Sequence, residues 1–440
     1  MEILVKVVQF FLSLTLLVTV HEFGHFIVAR LFRIRVDKFY IFFDWGFSLF
    51  KFRRGETEYG LGWLPLGGYC KIAGMVDESM DTEQLKSEPQ PWEFRSKPAW
   101  QRFFVLVAGV SMNLILAFLI YCGIAYTCGT SYIANDDVVY GYNFNEAAES
   151  FGFRDGDRIV SMNGEKIENI QSISNRIILA DGDIEVEVLR NDSPLRFTIP
   201  YDGINAVRKD SERMAGMITL HMPFIIDSLA TQSAIDAGLQ CGDRIVGIDG
   251  IDEKEFTAYA PLLAERAGES AELSIIRNGD TVKVIAPISA EGKLGVMVRA
   301  LDITPRTEHY SLLQAIPAGA RLTGKSIKSY WDQLKLIVKP KTGLYKQVGG
   351  FIAIGNIFPS TWDWVQFWSM TAFLSIILAI MNIIPIPGLD GGHTLFTLWE
   401  MVTRRKVSDK VLEVAQYIGL ALILALVLFA NGNDIYRLFK

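Results

Sequence analysis

The chain has 440 residues, of which 50% are apolar and 21% charged, and its formal net charge is −6. This balance excludes the basic footprint of a nucleic-acid binder, and four cysteines without a CxxC pair argue against a thiolate metal site or a disulfide-dense secreted domain. A chain of this length that is half apolar is typical of membrane spans joined to water-soluble segments.

The first predicted element is an apolar helix over residues 7–29, long enough for a bilayer, which needs about 20 residues. Its stretch LVTVHEFGHFIVAR carries His21, Glu22 and His25, and ionisable groups inside a span are costly and mark functional sites. A cleaved signal peptide is disfavoured because no small-residue cleavage site follows the apolar run. We therefore expect a retained span.

The three ionisable residues form an HExxH pattern. On a helix, positions i and i+4 share one face, so both imidazoles can hold one metal ion while Glu22 lies beside the water on that ion. The alternative of a buried structural histidine is weakened by three ionisable groups within five residues. The pattern predicts zinc, and a catalytic zinc needs a third protein ligand from elsewhere in the chain.

A second uncharged run covers residues 103–135, and the connection before it is basic. Eleven Lys and Arg lie between residues 33 and 102, and four more lie between 404 and 410. By the positive-inside rule both connections are cytoplasmic, which places both termini and the long region 136–362 on the opposite side. The Gly- and Pro-rich stretch 59–75 allows either a plain cytoplasmic hairpin or an exposed strand edge that binds substrate.

The long region contains an internal repeat. AESFGFRDGDRIVSMNG at 148–164 and AIDAGLQCGDRIVGIDG at 234–250 align without gaps, and each predicts a short helix, a strand and an Asn-Gly or Asp-Gly turn. This pattern resembles PDZ domains of bacterial envelope proteases, predicted here over 129–220 and 221–302. The connector 303–362 contains an amphipathic stretch, 311–340, that fits either a helix on the membrane surface or an exposed linker helix.

Residues 345–358 are apolar but too short to span, which predicts a re-entrant segment or one packed against the bundle. The third span covers 364–389, with Trp364 and Trp368 as interfacial anchors, and the fourth covers 414–433.

The third span ends in MNIIPIPGLDGGH, residues 381–393. Pro385 and Pro387 break the helix there, and Gly391-Gly392 is expected to turn the backbone sharply. Asp390 between them is a better candidate for the third metal ligand than the remaining histidines, although an ordinary helix end with a solvated Asp is the alternative.

HEFGH and NIIPIPGLDGG together resemble the HExxH and NxxPxPxLDG motifs of site-2 proteases, the intramembrane zinc metalloproteases, and specifically their bacterial RseP-type branch with two PDZ domains. The resemblance implies one catalytic Zn²⁺ held by His21, His25 and Asp390, with Glu22 as general base. It implies that Asn382 holds the substrate backbone or the oxyanion. It also implies a membrane-associated β-loop over 59–75, in which Gly67, Gly68 and Tyr69 bind substrate.

The expected fold is therefore a polytopic α-helical membrane protein with four transmembrane helices, two tandem extracytoplasmic PDZ-like α+β domains and a membrane-associated β-loop. The expected spans are 1–32, 102–128, 363–392 and 411–433, with cytoplasmic loops at 33–101 and 393–410.

The resemblance implies that the substrates are transmembrane segments of single-pass proteins, such as anti-sigma factors or remnant signal peptides, cut after a first protease in the bacterial inner membrane. Lipid is the other expected partner. The two outer domains would act as a size filter, or bind the newly exposed C-termini by β-addition.

Two other functions compete with proteolysis. A catalytically silent PDZ scaffold with a structural zinc is disfavoured because such a site has no use for Glu22. A metal or ion transporter is disfavoured because four spans with one broken helix give no inverted repeat.

Overall fold

The computed structural model describes residues 2–64, 67–75, 88–214, 216–253, 255–299 and 303–439. Pro65 and Leu66, within the predicted β-loop, lie outside these ranges. The chain divides into a helical unit, Met1–Thr130, Glu308–Pro340 and Leu344–Lys440, and a β-rich unit, Ser131–Thr307 with Lys341–Gly343.

The α-helices in chain order are α1 (Glu2–Leu31), α2 (Ala99–Cys128), α3 (Glu146–Ser150), α4 (Gln171–Ile178), α5 (Tyr201–Arg208), α6 (Ser211–Met214), α7 (Gln232–Asp236), α8 (Phe256–Glu265), α9 (Leu312–Val338), α10 (Phe351–Gly355), α11 (Trp364–Ile383), α12 (Asp390–Thr403) and α13 (Asp409–Leu438).

The strands are β1 (Val36–Ile41), β2 (Phe43–Arg54), β3 (Thr57–Leu64), β4 (Tyr69–Ile72), β5 (Thr130–Tyr132), β6 (Tyr142–Phe144), β7 (Arg158–Met162), β8 (Glu165–Lys166), β9 (Ile184–Arg190), β10 (Ser193–Ile199), β11 (Ile218–Leu220), β12 (Phe224–Leu229), β13 (Arg244–Ile248), β14 (Ile251–Asp252), β15 (Ser270–Arg277), β16 (Asp280–Pro287), β17 (Val296–Val298) and β18 (Arg306–Glu308).

Four helices of the helical unit, α1, α2, α11 and α13, are long and apolar enough to cross a membrane, which agrees with the four predicted spans. At 1.5 Å per residue, the 30 residues of α1 measure roughly 45 Å, more than the apolar thickness of a bilayer. The chain is a membrane protein with additional β-sheet regions.

Helix α9 packs along α2, and the placement of residues 311–340 as a helix on the membrane surface or as a linker helix stays a prediction. The Tyr121 hydroxyl lies 3.1 Å from Ser326 Oγ, and Ala315 and Ala318 of α9 are buried with Ala125 of α2. Small side chains let two helices approach closely. The small buried side chains of α9 therefore contact the neighbouring helix α2.

The segment 345–358 packs against α13, one of its two expected placements. Asp434 Oδ2 accepts hydrogen bonds from the backbone N–H groups of Ile352 and Ala353, both at 3.0 Å, and Asn431 Oδ1 accepts from that of Phe351 at 3.2 Å. These three donors belong to the first turn of α10, so α13 satisfies N–H groups that a helix start leaves unpaired.

The region after the third span differs from its prediction. Helix α11 ends at Ile383, and Asp390 is the first residue of a separate helix rather than the last residue of the span. The sharp turn is at Gly388, whose φ is +97°. Gly391 and Gly392 are helical instead, and they are small because a Cβ on either would clash with the 383–387 backbone.

Helix α12 also occupies most of the predicted cytoplasmic loop 393–410. It is joined to α2 by a partly buried ion pair, in which Arg102 Nη2 lies 2.6 Å from Glu400 Oε1. An ion pair at this position fixes the helix that begins with Asp390.

Strands β1 to β4 form a four-stranded sheet with the order β2-β3-β1-β4. Strand β4 runs antiparallel to β1, with Tyr69 opposite Tyr40 and Cys70 opposite Phe39. Among the described strands, β4 has no partner on its outer edge.

The β-rich unit contains two similar sheets that follow the sequence repeat. The first has the order β10-β9-β7-β8, and the second has the order β16-β15-β13-β12-β17 with β14 beside β13. Each GDRIV turn buries its aspartate against an arginine: Asp157 pairs with Arg190 and Asp243 with Arg277, both with N–O distances of 2.7 Å. The division into two PDZ-like domains remains a prediction.

Candidate active site

Helix α1 brings His21 and His25 to one buried face, and the start of α12 brings Asp390 to them. The Nε2 atoms of the two histidines are 3.2 Å apart. Asp390 Oδ2 lies 3.1 Å from His21 Nε2 and 3.2 Å from His25 Nε2. In the part of the chain that the structure describes, these three residues are the group of side chains that could hold a metal ion.

Helix α2 forms the floor beneath the two imidazoles. A Cβ on Gly109 would lie 2.3 Å from His25 Nε2 and 2.7 Å from His21 Cε1, so only glycine fits there. One turn before it, the Val105 carbonyl oxygen is 2.8 Å from His25 Nδ1. One turn after it, Asn113 Nδ2 is 3.2 Å from His21 Nδ1. A single face of α2 therefore contacts both rings.

The three convergent atoms fit a zinc ion. A carbonyl can only accept a hydrogen bond, so His25 carries its ring proton on Nδ1 and presents a lone pair at Nε2. Asp390 Oδ2 is buried and has no hydrogen-bond donor among the described residues. Ligands about 2.0–2.1 Å from a tetrahedral zinc are separated by about 3.3 Å, close to all three observed distances. A bound cation would accept the lone pairs of these three atoms, which otherwise lie close together without a donor between them.

Glu22 lies next to this cluster and faces the edge strand β4. The Cys70 backbone N–H donates to the Glu22 carboxylate. This N–H group therefore points away from the neighbouring strand β1. Because backbone groups alternate in direction along an antiparallel strand, those of Tyr69 point towards β1 instead. A Cβ on Gly68 would lie 3.0 Å from Val18 Cγ1, so β4 runs directly along α1. The edge of β4 thus borders the candidate base.

The predicted substrate-binding residues are mostly gathered around one cleft. Gly68, Tyr69 and Asn382 line it together with the metal-binding cluster, whereas Gly67 packs against Phe43 outside its lining. The full lining is His21, Glu22, His25, Gly68, Tyr69, Cys70, Ile72, Met75, Asn382, Gly388, Leu389, Asp390, His393 and Gln416.

The Tyr69 side chain contacts other residues of the four-stranded sheet. Its hydroxyl donates to Asp44 Oδ1 at 2.9 Å, and its ring stacks on those of Tyr40 and Phe43. Burial and the neighbouring Asp44 carboxylate raise the pKa of Tyr69, which keeps the phenol protonated as a donor.

Several residues of the site were not predicted from the sequence, among them His393, which lines the cleft although it was set aside as a metal ligand. Val105, Gly109 and Asn113 contact the histidine rings from α2, and Gln416 reaches the cleft from α13. Asn113 and Gln416 are amides within apolar spans, which is a usable signal because polar groups in spans are costly. The contact of the Val105 carbonyl with His25 cannot be predicted from the sequence, because every residue has a backbone carbonyl.

Comparison with known proteins gives a consistent result. The family model described as Peptidase family M50 matches residues 9–426. A protein named regulator of sigma E protease from Haemophilus influenzae is 30% identical over 458 residues, covering 98% of both chains. Regulator of sigma-E protease RseP from Escherichia coli K12 is 27% identical over 457 residues, also 98% of both. A Neisseria meningitidis protein named as a putative zinc metalloprotease is 29% identical, again over 98% of both.

Proposed function

Because this chain belongs to peptidase family M50, the site-2 proteases, and is a zinc metalloprotease, we propose that it cleaves transmembrane segments of single-pass membrane proteins inside the bilayer. The observation that carries this proposal is the convergence of His21, His25 and Asp390 beside Glu22, within helices apolar enough to span a membrane.

In the proposed site the Nε2 atoms of His21 and His25 and a carboxylate oxygen of Asp390 hold the ion. When bound, zinc acts as a Lewis acid that polarises a peptide carbonyl and makes water more acidic. His21 and His25 are buried and Asp390 is partly buried, which holds the three side chains in place, and the cleft leaves space beside them for water and substrate.

Glu22 acts as general base in this proposal. It takes a proton from the water that attacks the scissile carbonyl carbon, and it gives a proton to the peptide nitrogen as the C–N bond breaks. The Cys70 N–H that bonds its carboxylate orients it towards the cleft. Asn382, half-buried in the cleft wall, is positioned to donate to the substrate backbone or to the oxyanion.

The edge of β4 provides the proposed substrate platform. A transmembrane helix hides its amides in internal hydrogen bonds, so a substrate has to unwind before it is cut. An unwound segment can regain backbone hydrogen bonds by adding to a free strand edge. Cys70 N–H faces away from β1 and already donates to Glu22, and by alternation the backbone of Gly68 faces the same way. This supports a role for the Gly68 backbone in guiding the segment rather than for the Tyr69 side chain, which donates to Asp44.

The proposed setting is the bacterial inner membrane, with the site near its cytoplasmic side and the β-rich unit and both termini outside the cytoplasm. The basic connections after α1 and α12 support this orientation. The relatives named as regulators of sigma E support anti-sigma factors as one substrate class, with a first protease acting before this one.

Replacing Glu22 by Gln tests the mechanism. We expect purified E22Q to retain zinc and to lose cleavage of a model transmembrane substrate by at least about 100-fold, the lower range for general acid–base catalysis. Glu2→Gln, an exposed change at the start of the same helix, is the matched control and should cleave normally. Unchanged cleavage by E22Q would contradict the role of Glu22 as general base. A scaffold with a structural zinc would instead be favoured if the unaltered protein bound zinc but did not cleave the substrate.

A further inference from the structure

Asn113 is fully buried on α2, next to the proposed metal ligands. Its main-chain carbonyl accepts a hydrogen bond from Ser375 Oγ of α11 at 2.7 Å, so its backbone is held between two spans. Its amide group lies 3.2 Å from His21 Nδ1. The amide oxygen Oδ1 is buried and has no hydrogen-bond donor among the described residues.

The two histidines have unequal partners on α2. His25 Nδ1 faces the Val105 carbonyl, which fixes the ring proton on Nδ1 and leaves Nε2 free for metal. His21 has Nε2 in the same cluster, so it also has to carry its proton on Nδ1 when it binds metal. That proton needs an acceptor, and the group within reach is the amide of Asn113.

The amide of Asn113 can supply that acceptor. A half-turn about its last bond exchanges the nitrogen and the oxygen, and the hydrogen-bond network decides which atom faces His21. When His21 carries its proton on Nδ1, the orientation with Asn113 Oδ1 facing the ring is favoured. Asn113 Oδ1, which otherwise lacks a donor, then accepts a hydrogen bond from His21. Val105 and Asn113 lie eight residues, about two helical turns, apart and on the same face of α2.

We propose that Asn113 is a positioning residue for His21: its amide oxygen accepts the Nδ1–H and holds Nε2 towards the zinc ion. This inference rests on the proposed function, because it takes His21 as a zinc ligand. In this proposal α2 provides two hydrogen-bond acceptors: the Val105 backbone carbonyl for His25 and the Asn113 side-chain amide for His21.

The test compares zinc affinity in purified full-length protein by competition with a chelator. Asn113→Leu keeps the size of the side chain and removes the acceptor, and we expect its zinc affinity to fall about 10- to 100-fold. Asn113→Asp keeps an oxygen facing the ring in either orientation, so its affinity should stay within about threefold of the unaltered protein or rise. Ser13→Ala, another buried polar position in a span, should leave zinc affinity unchanged.

His21→Leu separates this inference from the proposed function. If H21L binds zinc normally, the proposed site fails. If H21L loses zinc but N113L keeps it, the site stands and the role of Asn113 is overturned. Should N113L not fold, N113D decides: folded N113D that loses zinc overturns the role, and N113D that retains zinc in a stable fold supports it.

Discussion

At the scale of single residues, Gly109 leaves no room for a side chain between α2 and the histidine rings. Replacing Gly109 by Ala places a methyl group 2.3 Å from His25 Nε2, so we expect zinc binding to fall by more than about tenfold as the ring is displaced. Zinc content and cleavage rate should decline together. Gly123→Ala on the same helix is the control, since its Cβ would meet nothing within 4 Å, and it should retain both properties. Normal zinc binding by G109A would contradict the described floor of the site.

The sequence predicts the ligand residues better than their supports. HExxH and the LDG motif place His21, His25 and Asp390 because metal chemistry restricts both residue type and spacing. The structure brings these residues together, and their roles remain proposals. The Val105 carbonyl belongs to the backbone, which every residue has, and its contact with His25 depends on how two helices cross. The way in which two helices cross cannot be predicted from a residue pattern in the sequence.

At the scale of elements, α12 depends on its ion pair with α2. Arg102→Met leaves the Glu400 carboxylate, 14% exposed, without its cation, and we expect a loss of about 3 kcal/mol in the free energy of unfolding together with weaker zinc binding. Unfolding in mixed micelles measures the first effect and chelator competition the second. The double change Arg102→Met with Glu400→Met should cost less than the single one, because no partly buried charge is left without its partner.

An exposed ion pair gives the comparison for that experiment. Arg30 and Glu56 are 3.5 Å apart, with side chains 49% and 63% exposed, so Arg30→Met should change stability by less than about 1 kcal/mol. Equal effects of R30M and R102M would mean that the α2–α12 pair has no special role.

The two repeats each depend on a buried aspartate. Asp157 accepts from Arg190 and from the backbone N–H of Arg154. The hydrogen bond to Asp157 and the charge of that carboxylate raise the pKa of Arg190. We expect Asp157→Ala to destabilise the first repeat by about 2 kcal/mol or more, seen as faster hydrogen exchange in β7 and β9. Strand β13 of the second repeat should be unaffected. Asp192→Ala, which removes an exposed partner of Arg158, should leave β7 protected.

The prediction of elements was sound where one physical force dominates. Hydropathy predicted four spans because bilayer thickness sets their length, and the four apolar helices agree. The placement of α9 could not be predicted, since an apolar stripe fits a membrane surface and a neighbouring helix equally well. Pro385 and Pro387 indicated a break after the third span, but not the new helix that begins at Asp390.

At the scale of the whole molecule, native cysteines can test the proposed orientation. Cys241 is exposed in the β-rich unit, whereas Cys70 is buried. In a chain with Cys122 and Cys128 replaced by serine, we expect a membrane-impermeant maleimide added to spheroplasts to label Cys241. An added Cys at exposed position 406, in the basic connection after α12, should react only after the membrane is opened. The reverse pattern would invert the proposed topology.

The division of the metal-binding cluster between α1 and α12 has a consequence for biosynthesis. The ribosome makes both histidines early and Asp390 only near the end of the chain, so a growing copy inserts its first spans with an incomplete ligand set. Such an intermediate cannot assemble the proposed three-ligand site. Under the proposed ligand set, proteolytic competence begins only when the C-terminal helices arrive, and a copy truncated before residue 390 would lack it.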